Sequence, residues 1–199
     1  MNGELQLDLW KSIPGVALGI LGALVIAAYT KINAGTRKKG AGSHWAVGAL
    51  AATLGMASMF LGWGLLCVSR PAFRTPWLQV PGGAACALAL GIYASSARRV
   101  GRLRGPARYS LDLETGGIHG WVRHPQALAL CVLAVGLAFL SGSFPYLATL
   151  PVWLGFWVGY TYLEEKNELI PAFGEKYLRY RDQTPRILPR LFRNRGPAT

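Results

Sequence analysis

Five long apolar segments constrain the fold of this chain more than any other feature. They cover residues 13–30, 45–68, 78–94, 126–140 and 146–163 of the 199-residue sequence. A helix needs about 20 residues, within a range of about 17 to 25, to cross the hydrocarbon of a bilayer. The segments are continuous rather than alternating, which favours helices over the strands of a barrel. With 52% apolar and 15% charged residues, the sequence predicts an all-α fold, a polytopic membrane helix bundle of about five transmembrane helices in a single membrane domain.

The basic residues are distributed unevenly around these segments. Of 21 Lys and Arg, 18 lie at 31–39, at 98–123 or beyond residue 165, whereas Lys11, Arg70 and Arg74 fall on the other side of the predicted spans. Cytoplasmic loops carry an excess of Lys and Arg. We therefore expect an integral protein of a bacterial or archaeal cell membrane, with the N-terminus outside and the C-terminus in the cytoplasm. The formal charge of +12 is then explained by membrane lipids as partners, and no nucleic acid is expected.

Two polar blocks flank the last two apolar segments. His119, Arg123 and His124 precede the fourth segment, and Glu164 and Glu165 end the fifth. One helical hairpin separates the blocks, so we expect both at the cytoplasmic face. Arg suits a carboxylate or phosphate, and His can donate, accept or carry a proton. Acidic residues on the positively charged side are not explained by topology. Either the blocks form a site for a zwitterionic ligand, or an Arg123 salt bridge to the Glu pair only pins the hairpin.

The residues after the Glu pair are predicted to form one cytoplasmic helix, 165–180, that lies against the mouth of the bundle as a lid. Apolar and aromatic side chains recur along it at helical spacing: Leu169, Phe173, Tyr177 and Tyr180. Pro185 and Pro189 then favour an extended strip that ends at Leu191.

In combination, these residues form a pattern that resembles a known family. The pattern is Arg123-His124-Pro125, a helical hairpin, Glu164-Glu165, Leu169, Phe173-Gly174, Tyr177, Tyr180, Pro185 and Pro189. Residues 117–191 thereby resemble the isoprenylcysteine carboxyl methyltransferase and phospholipid methyltransferase superfamily of integral membrane enzymes. On this resemblance, residues 1–97 are scaffold helices, 98–124 a basic cytoplasmic loop, and 117–191 the methyltransferase-like hairpin with a C-terminal cofactor-binding segment.

The resemblance implies methyl transfer from S-adenosylmethionine to a lipophilic or small acceptor at the cytoplasmic membrane face. The acceptor would be a prenylcysteine-like carboxylate, a phospholipid amine or a thiol. Arg123 and Glu165 are the expected catalytic residues, and no metal is expected. The expected cofactor-binding residues are His119, Val122, His124, Pro125, Gln126, Glu164, Glu165 and Tyr177. The oligomeric state is not predicted.

One departure from the family pattern concerns the residues after Arg-His-Pro. The family continues with x-Tyr-x-Gly, whereas this chain has Gln126 followed by Ala127, Leu128 and Ala129, so a phenol is missing near the expected site. Three explanations are open. Gln126, His119 or Trp121 compensates for the missing phenol, the acceptor differs from that of the family, or the site is impaired. Two other functions stay open: a relative of the sterol reductases that uses NADPH, and a non-catalytic membrane scaffold.

Overall fold

The computed structural model describes residues 2–37, 45–68, 76–103 and 113–189. Within these ranges the chain is helical and contains no strand, which confirms the all-α prediction. The elements are α1 (Asn2–Arg37), α2 (Trp45–Val68), α3 (Pro76–Leu103), a 3-10 turn (Gly117–Gly120), α4 (Pro125–Ser141), α5 (Phe144–Glu164), a π-helical turn (Glu165–Leu169), α6 (Ile170–Phe173) and α7 (Glu175–Gln183). The predicted loop residues 104–112 and the C-terminal residues 190–199 lie outside the described residues.

Two of the described helices are apolar and long enough to cross a membrane, judged by length and composition alone. The qualifying stretches are Ser12–Tyr29 in α1 and Pro76–Arg99 in α3, and shorter apolar stretches lie at Thr53–Cys67 and Pro125–Ser141. Large apolar side chains point outward from these helices, with Trp77 of α3 88% exposed. A surface of this kind is typical of a lipid contact. These features support membrane association, whereas the number of spans stays a prediction.

The helices pack closely because glycines let their backbones approach. A methyl group on Gly22 of α1 would overlap the carbonyl oxygen of Gly55 in α2. In the same way, a methyl group on Gly136 of α4 would lie 2.9 Å from the carbonyl oxygen of Gly82 in α3. Small residues at such crossings are the usual means of packing helices in membranes. The chain therefore forms two closely packed helix pairs, α1 with α2 and α3 with α4.

The turn between α4 and α5 is anchored to the rest of the bundle. Gly142 has a φ of 60° and ends α4, and such left-handed backbone favours glycine. Ser143 caps α5, and its hydroxyl donates a 2.6 Å hydrogen bond to the carbonyl oxygen of Leu66 in α2. Farther along α5, Trp153 packs against Gly19 of α1. The hairpin is thus fixed at its turn, and its opposite end carries the two polar blocks.

The structure differs from the prediction in two segments, one before the first polar block and one after the Glu pair. α3 continues to Leu103, so residues 98–103 are helical rather than part of a loop, as suits the three helix-forming Arg residues and the Leu there. The predicted single helix 165–180 is wrong as well. A π-helical turn follows α5, and Gly174 then breaks the helix with a φ of 53° and a ψ of −132°, a conformation that only glycine adopts readily.

Candidate functional site

The α4–α5 hairpin brings the two polar blocks into contact through Glu165. The Glu165 side chain is only 4% exposed, and its Oε1 lies 2.9 Å from Arg123 Nη2 and 2.9 Å from His124 Nε2. Its other oxygen, Oε2, lies 2.9 Å from Nη2 of Arg186. A buried carboxylate is stable only when it is paired and hydrogen-bonded. One acidic side chain therefore holds three cationic or ionisable ones at the start of α4 and beyond α7.

Arg123 is engaged through all of its guanidinium nitrogens. Nε donates a 3.0 Å hydrogen bond to Glu165, and Nη1 donates to the carbonyl oxygens of Arg181 at 2.7 Å and Thr184 at 2.5 Å. Nη2 completes the pair with Glu165 at 2.9 Å. This geometry matches the salt bridge between Arg123 and the Glu pair that pins the hairpin, which is one of the two interpretations of the sequence. An additional role of Arg123 in orienting an acceptor stays a prediction.

Residues 184–189, here called the C-terminal strap, close over this ion cluster. The backbone N–H groups of Arg123 and His124 donate to the carbonyl oxygens of Pro185 at 2.9 Å and Arg186 at 3.0 Å. The Arg186 guanidinium also lies over the Tyr162 ring, 5.4 Å from its centroid, in a cation–π arrangement. The strap is thus tied to the first residues before α4 by backbone and side chains together.

The acidic and basic side chains of the cluster shift each other's pKa values. Burial alone would raise the pKa of Glu165, but hydrogen bonds from His124 and Arg186 and the charge of Arg123 outweigh it and hold that pKa well below 4.5. Burial likewise opposes the charged form of His124, but Glu164 and Glu165 raise its pKa above 6.5. Glu164 contributes through a 3.3 Å contact of Oε2 with His124 Nδ1 and keeps a third of its side chain exposed. The cluster thus favours an ionised Glu165 and a protonated His124.

His119 lies in the 3-10 turn, buried between α3 and α7. Its Nε2 is 3.4 Å from the Ser96 hydroxyl oxygen of α3, and its backbone carbonyl accepts a 2.5 Å hydrogen bond from the Tyr180 hydroxyl. Its Nδ1 is buried and has no hydrogen-bond partner in the described part of the chain. Burial lowers the pKa of His119, Glu114 opposes this, and the charges of Arg99 and His124 add to it. The imidazole is therefore held neutral with one nitrogen unused.

Tyr177 supplies the second unpaired polar atom of this region. The side chain is only 1% exposed, and its hydroxyl has no hydrogen-bond partner of good geometry among the described residues, although it lies close enough to the Glu165 carboxylate for that group to act on its pKa. Its ring meets the Tyr180 ring edge-on, 6.0 Å between centroids. Burial raises the pKa of the Tyr177 phenol, and the charge of Glu165 adds to this effect; burial also raises the pKa of Tyr180 to about 12. Tyr177 is thus a neutral donor near the ion cluster.

The remaining predicted cofactor-binding residues line the start of α4. Val122 and Pro125 are buried, and Gln126 is half-buried in the first turn of the helix. Trp121, one of the residues considered as a substitute for the missing phenol, is 72% exposed. Gln126 and His119 are therefore better placed than Trp121 to compensate for the missing phenol.

Three contacting residues were not anticipated. Arg186 was not predicted because it stands between the two prolines of the strap. A basic residue at that position could have indicated a partner for Glu165. Ser96 follows the third apolar segment, 78–94, in the part of the chain assigned to the scaffold, and no local pattern marks it. Glu168 is buried as well, and it lies in the same π-helical turn as Glu165. π-Helical turns occur frequently at functional sites.

The site is characterised by buried polar atoms without a partner rather than by a cluster of metal-ligating side chains in the described part of the chain. Within the described ranges, no group of three or more His, Cys, Asp and Glu side chains is placed to hold a metal ion. Buried polar atoms without a partner require an explanation, and in the described residues they also occur in the hydrophobic core, at Trp63, Tyr146 and Trp157. Comparison with family models, curated proteins and solved structures finds no match for this chain. Inferences about its function therefore depend on the site's geometry and on the motif resemblance.

Proposed function

We propose that this protein is a membrane methyltransferase that uses S-adenosylmethionine at the cytoplasmic face. The observation that carries the proposal is the contact of His124 with Glu165 at 2.9 Å and with Glu164 at 3.3 Å across the hairpin. The two motifs that resemble the methyltransferase superfamily meet there, although they are separated by about 40 residues in the sequence. The hairpin brings the two blocks to one end of the bundle, but it does not by itself require that His124 contact both Glu side chains.

The residues present fit a bound S-adenosylmethionine. The buried Nδ1 of His119 and the buried hydroxyl of Tyr177 have no described partner, so a ligand with polar groups would satisfy them. Glu164, with a third of its side chain exposed, is suited to the ammonium group of the cofactor. The half-buried Gln126 offers an amide to the adenosine part. Bound S-adenosylmethionine would supply an electrophilic methyl group to the acceptor.

The protein's own residues mainly position the reactants and exclude water. Displacement at a sulfonium methyl group is in-line, so orientation supplies much of the rate. Arg123 and Glu165 are saturated by mutual and backbone contacts, and the proposal gives them the role of holding α4, α5 and the strap in register. A carboxylate acceptor would need no base, whereas an amine or thiol would have to release a proton. The lipophilic part of the acceptor would enter from the bilayer.

The proposal includes the membrane topology predicted from the charges. The five apolar helices would cross the bilayer with the N-terminus outside, so that the ion cluster and α7 face the cytoplasm. Exposed apolar residues on α3, such as Trp77 and Leu90, support a lipid contact along that helix. The cytoplasmic position would give a soluble cofactor access to the site from one side and a lipophilic acceptor access from the other.

Ligand binding by the purified, detergent-solubilised protein tests the proposal. Wild-type protein should bind S-adenosylmethionine and S-adenosylhomocysteine but not NADPH, the cofactor of the reductase alternative. Tyr177→Phe should weaken S-adenosylmethionine binding by about 1 kcal/mol, the scale of one neutral hydrogen bond, and thermal unfolding of the variant checks that the fold is kept. Glu175→Gln, at an exposed position of α7, is the matched control. Binding of NADPH alone, or of none of these compounds, would contradict the proposal.

A further inference from the structure

The His119 imidazole is fixed in the protein at one nitrogen and unused at the other. The residue is 7% exposed. Nε2 lies 3.4 Å from the hydroxyl oxygen of Ser96, while Nδ1 has no partner among the described residues. The backbone on which the ring stands is itself held, because the Tyr180 hydroxyl donates to the His119 carbonyl oxygen at 2.5 Å. The direction of the unused nitrogen is therefore set by two helices, α3 and α7.

The position of the ring proton follows from the hydrogen bonds available to Ser96. Ser96 is fully buried, and among the described residues its hydroxyl contacts the His119 ring alone. If Nε2 carried the proton, the Ser96 hydroxyl hydrogen would be buried without an acceptor, and Nδ1 would be a second unsatisfied group. If the Ser96 hydroxyl donates to Nε2, only Nδ1–H is left over. The second arrangement leaves fewer buried polar groups unpaired.

The ring is neutral in this environment, so it carries a single proton. Burial disfavours the imidazolium. Of the charged groups that face it, Arg99 of α3 and His124 before α4 add to this effect, and Glu114 opposes it without reversing it. Tyr180, from α7, contacts the backbone of His119 and carries no charge. A neutral ring with the proton on Nδ1 therefore has one buried donor without a partner among the described residues.

We propose that Ser96 fixes His119 in the neutral Nδ1–H tautomer and that Nδ1–H donates to the carboxylate of bound S-adenosylmethionine. This rests on the function proposed above. A buried donor with no protein partner selects a ligand acceptor, and the carboxylate is the strongest acceptor that the cofactor carries. Glu164, which contacts Nδ1 of His124, would then receive the ammonium of the same amino-acid group. Ser96 is a positioning residue in this arrangement, and His119 is a binding residue.

Two substitutions of His119 separate the two nitrogens. The amide nitrogen of Asn occupies about the position of Nδ1, and that of Gln about the position of Nε2. His119→Asn should keep the affinity for S-adenosylhomocysteine within about threefold, whereas His119→Gln should lower it about 10- to 100-fold, the scale of a hydrogen bond to a charged group. The affinity for 5′-methylthioadenosine, which lacks the amino-acid group, should be the same in both variants. Thermal unfolding of each variant checks that the fold is kept.

The role of Ser96 is tested by comparing its replacement by Ala with the same replacement of its neighbour Ser95 on α3. Ser96→Ala should weaken S-adenosylhomocysteine binding about fivefold, the scale of one neutral hydrogen bond, because the ring is then free to adopt the other tautomer. Ser95→Ala is the matched control, because Ser95 is exposed and its hydroxyl donates to the Ile92 carbonyl oxygen within the helix. The Ser95 variant should bind like the wild type.

The tautomer itself can be read without any ligand. The chain contains three histidines, so the imidazole nitrogen spectrum of ¹⁵N-histidine-labelled protein is simple enough to assign with the His119→Gln variant. Nδ1 of His119 should carry the proton in wild-type protein, and Ser96→Ala should shift the tautomer ratio. A protonated Nε2 would overturn the tautomer assignment. Equal losses of affinity for S-adenosylhomocysteine and 5′-methylthioadenosine in His119→Gln would overturn the carboxylate assignment. Failure of the wild type to bind either compound would overturn the proposed function, and the carboxylate assignment with it.

Discussion

Arg123 and Glu165 form a buried ion pair that joins the start of α4 to the end of α5. Nη2 and Oε1 are 2.9 Å apart, and the two side chains are 7% and 4% exposed. The pair closes the open end of the hairpin, whose other end is fixed by the turn at Ser143. Because Arg123 also binds carbonyl oxygens of α7 and the strap, one interaction network sets the relative positions of four segments.

Removing the charge of Glu165 should destabilise the protein strongly. Glu165→Gln leaves Arg123 and His124 buried without their counter-charge, and breaking a buried pair in this way costs about 3–5 kcal/mol. Glu164→Gln, in which the replaced side chain is one-third exposed, should cost no more than about 1 kcal/mol. The free energy of unfolding in detergent, measured for both variants, checks the contrast. Similar losses in the two variants would mean that the pair at Glu165 is not the dominant contact.

Replacing Arg123 by Lys separates an anchoring role from an acceptor-orienting one. Lys keeps the charge and can still pair with Glu165, which preserves the anchoring ion pair, but it lacks the planar fork that would orient an acceptor. If Arg123 orients the acceptor, the variant should bind S-adenosylmethionine almost normally and lose turnover by about 100-fold, as expected for misplaced reactants. The assay should use the lipophilic acceptor found by screening prenylated thiols, phospholipid amines and small thiols. Turnover close to wild type would leave Arg123 with the anchoring role alone.

The ion cluster should make stability depend on pH in two opposite directions. The pKa of Glu165 is lowered from 4.5 in the folded protein, so its contribution is present above about pH 4.5 and is lost as the pH falls below that value. The pKa of His124 is raised from 6.5, so its contribution is complete below about pH 6.5 and is lost as the pH rises through the folded pKa. Thermal unfolding across pH should therefore show the wild type losing its advantage over Glu165→Gln on the acid side and its advantage over His124→Gln on the alkaline side. Difference curves that do not change with pH would contradict this assignment.

The long helices could be predicted from the sequence because apolar length is a local property. α2 has the predicted bounds, Trp45–Val68, and α4 and α5 begin and end within two residues of the predicted segments. The hairpin also indicated which polar blocks would meet. The π-helical turn and the break at Gly174 were missed because the spacing of Phe173 and Tyr177 fits a continuous helix equally well. The contact of Ser96 with His119 was missed because it depends on how α3 packs against a segment 23 residues away.

The predicted topology can be tested at the connections between the spans. The partition of 18 basic residues against 3 predicts that Lys38 and Thr199 are both cytoplasmic and that Arg74 is outside. Reporter fusions at these three positions, one active only in the cytoplasm and one active only outside, check the orientation. Lys38 and Thr199 on opposite sides of the membrane would refute the five-span arrangement.

The packing of α1 on α2 should be most sensitive where two backbones touch. A methyl group on Gly22 would overlap the carbonyl oxygen of Gly55 and lie 2.8 Å from the backbone nitrogen of Met59. Backbone cannot move aside as a flexible side chain can, so Gly22→Ala should destabilise the protein by about 1–3 kcal/mol, the usual cost of overpacking. Gly155→Ala in α5 is the control, since nothing lies within 4 Å of its added methyl group, and Ala is also the better helix former by about 1 kcal/mol. The unfolding free energy should therefore fall in the first variant and stay constant or rise in the second. An unchanged Gly22 variant would mean that α1 and α2 do not cross at these glycines.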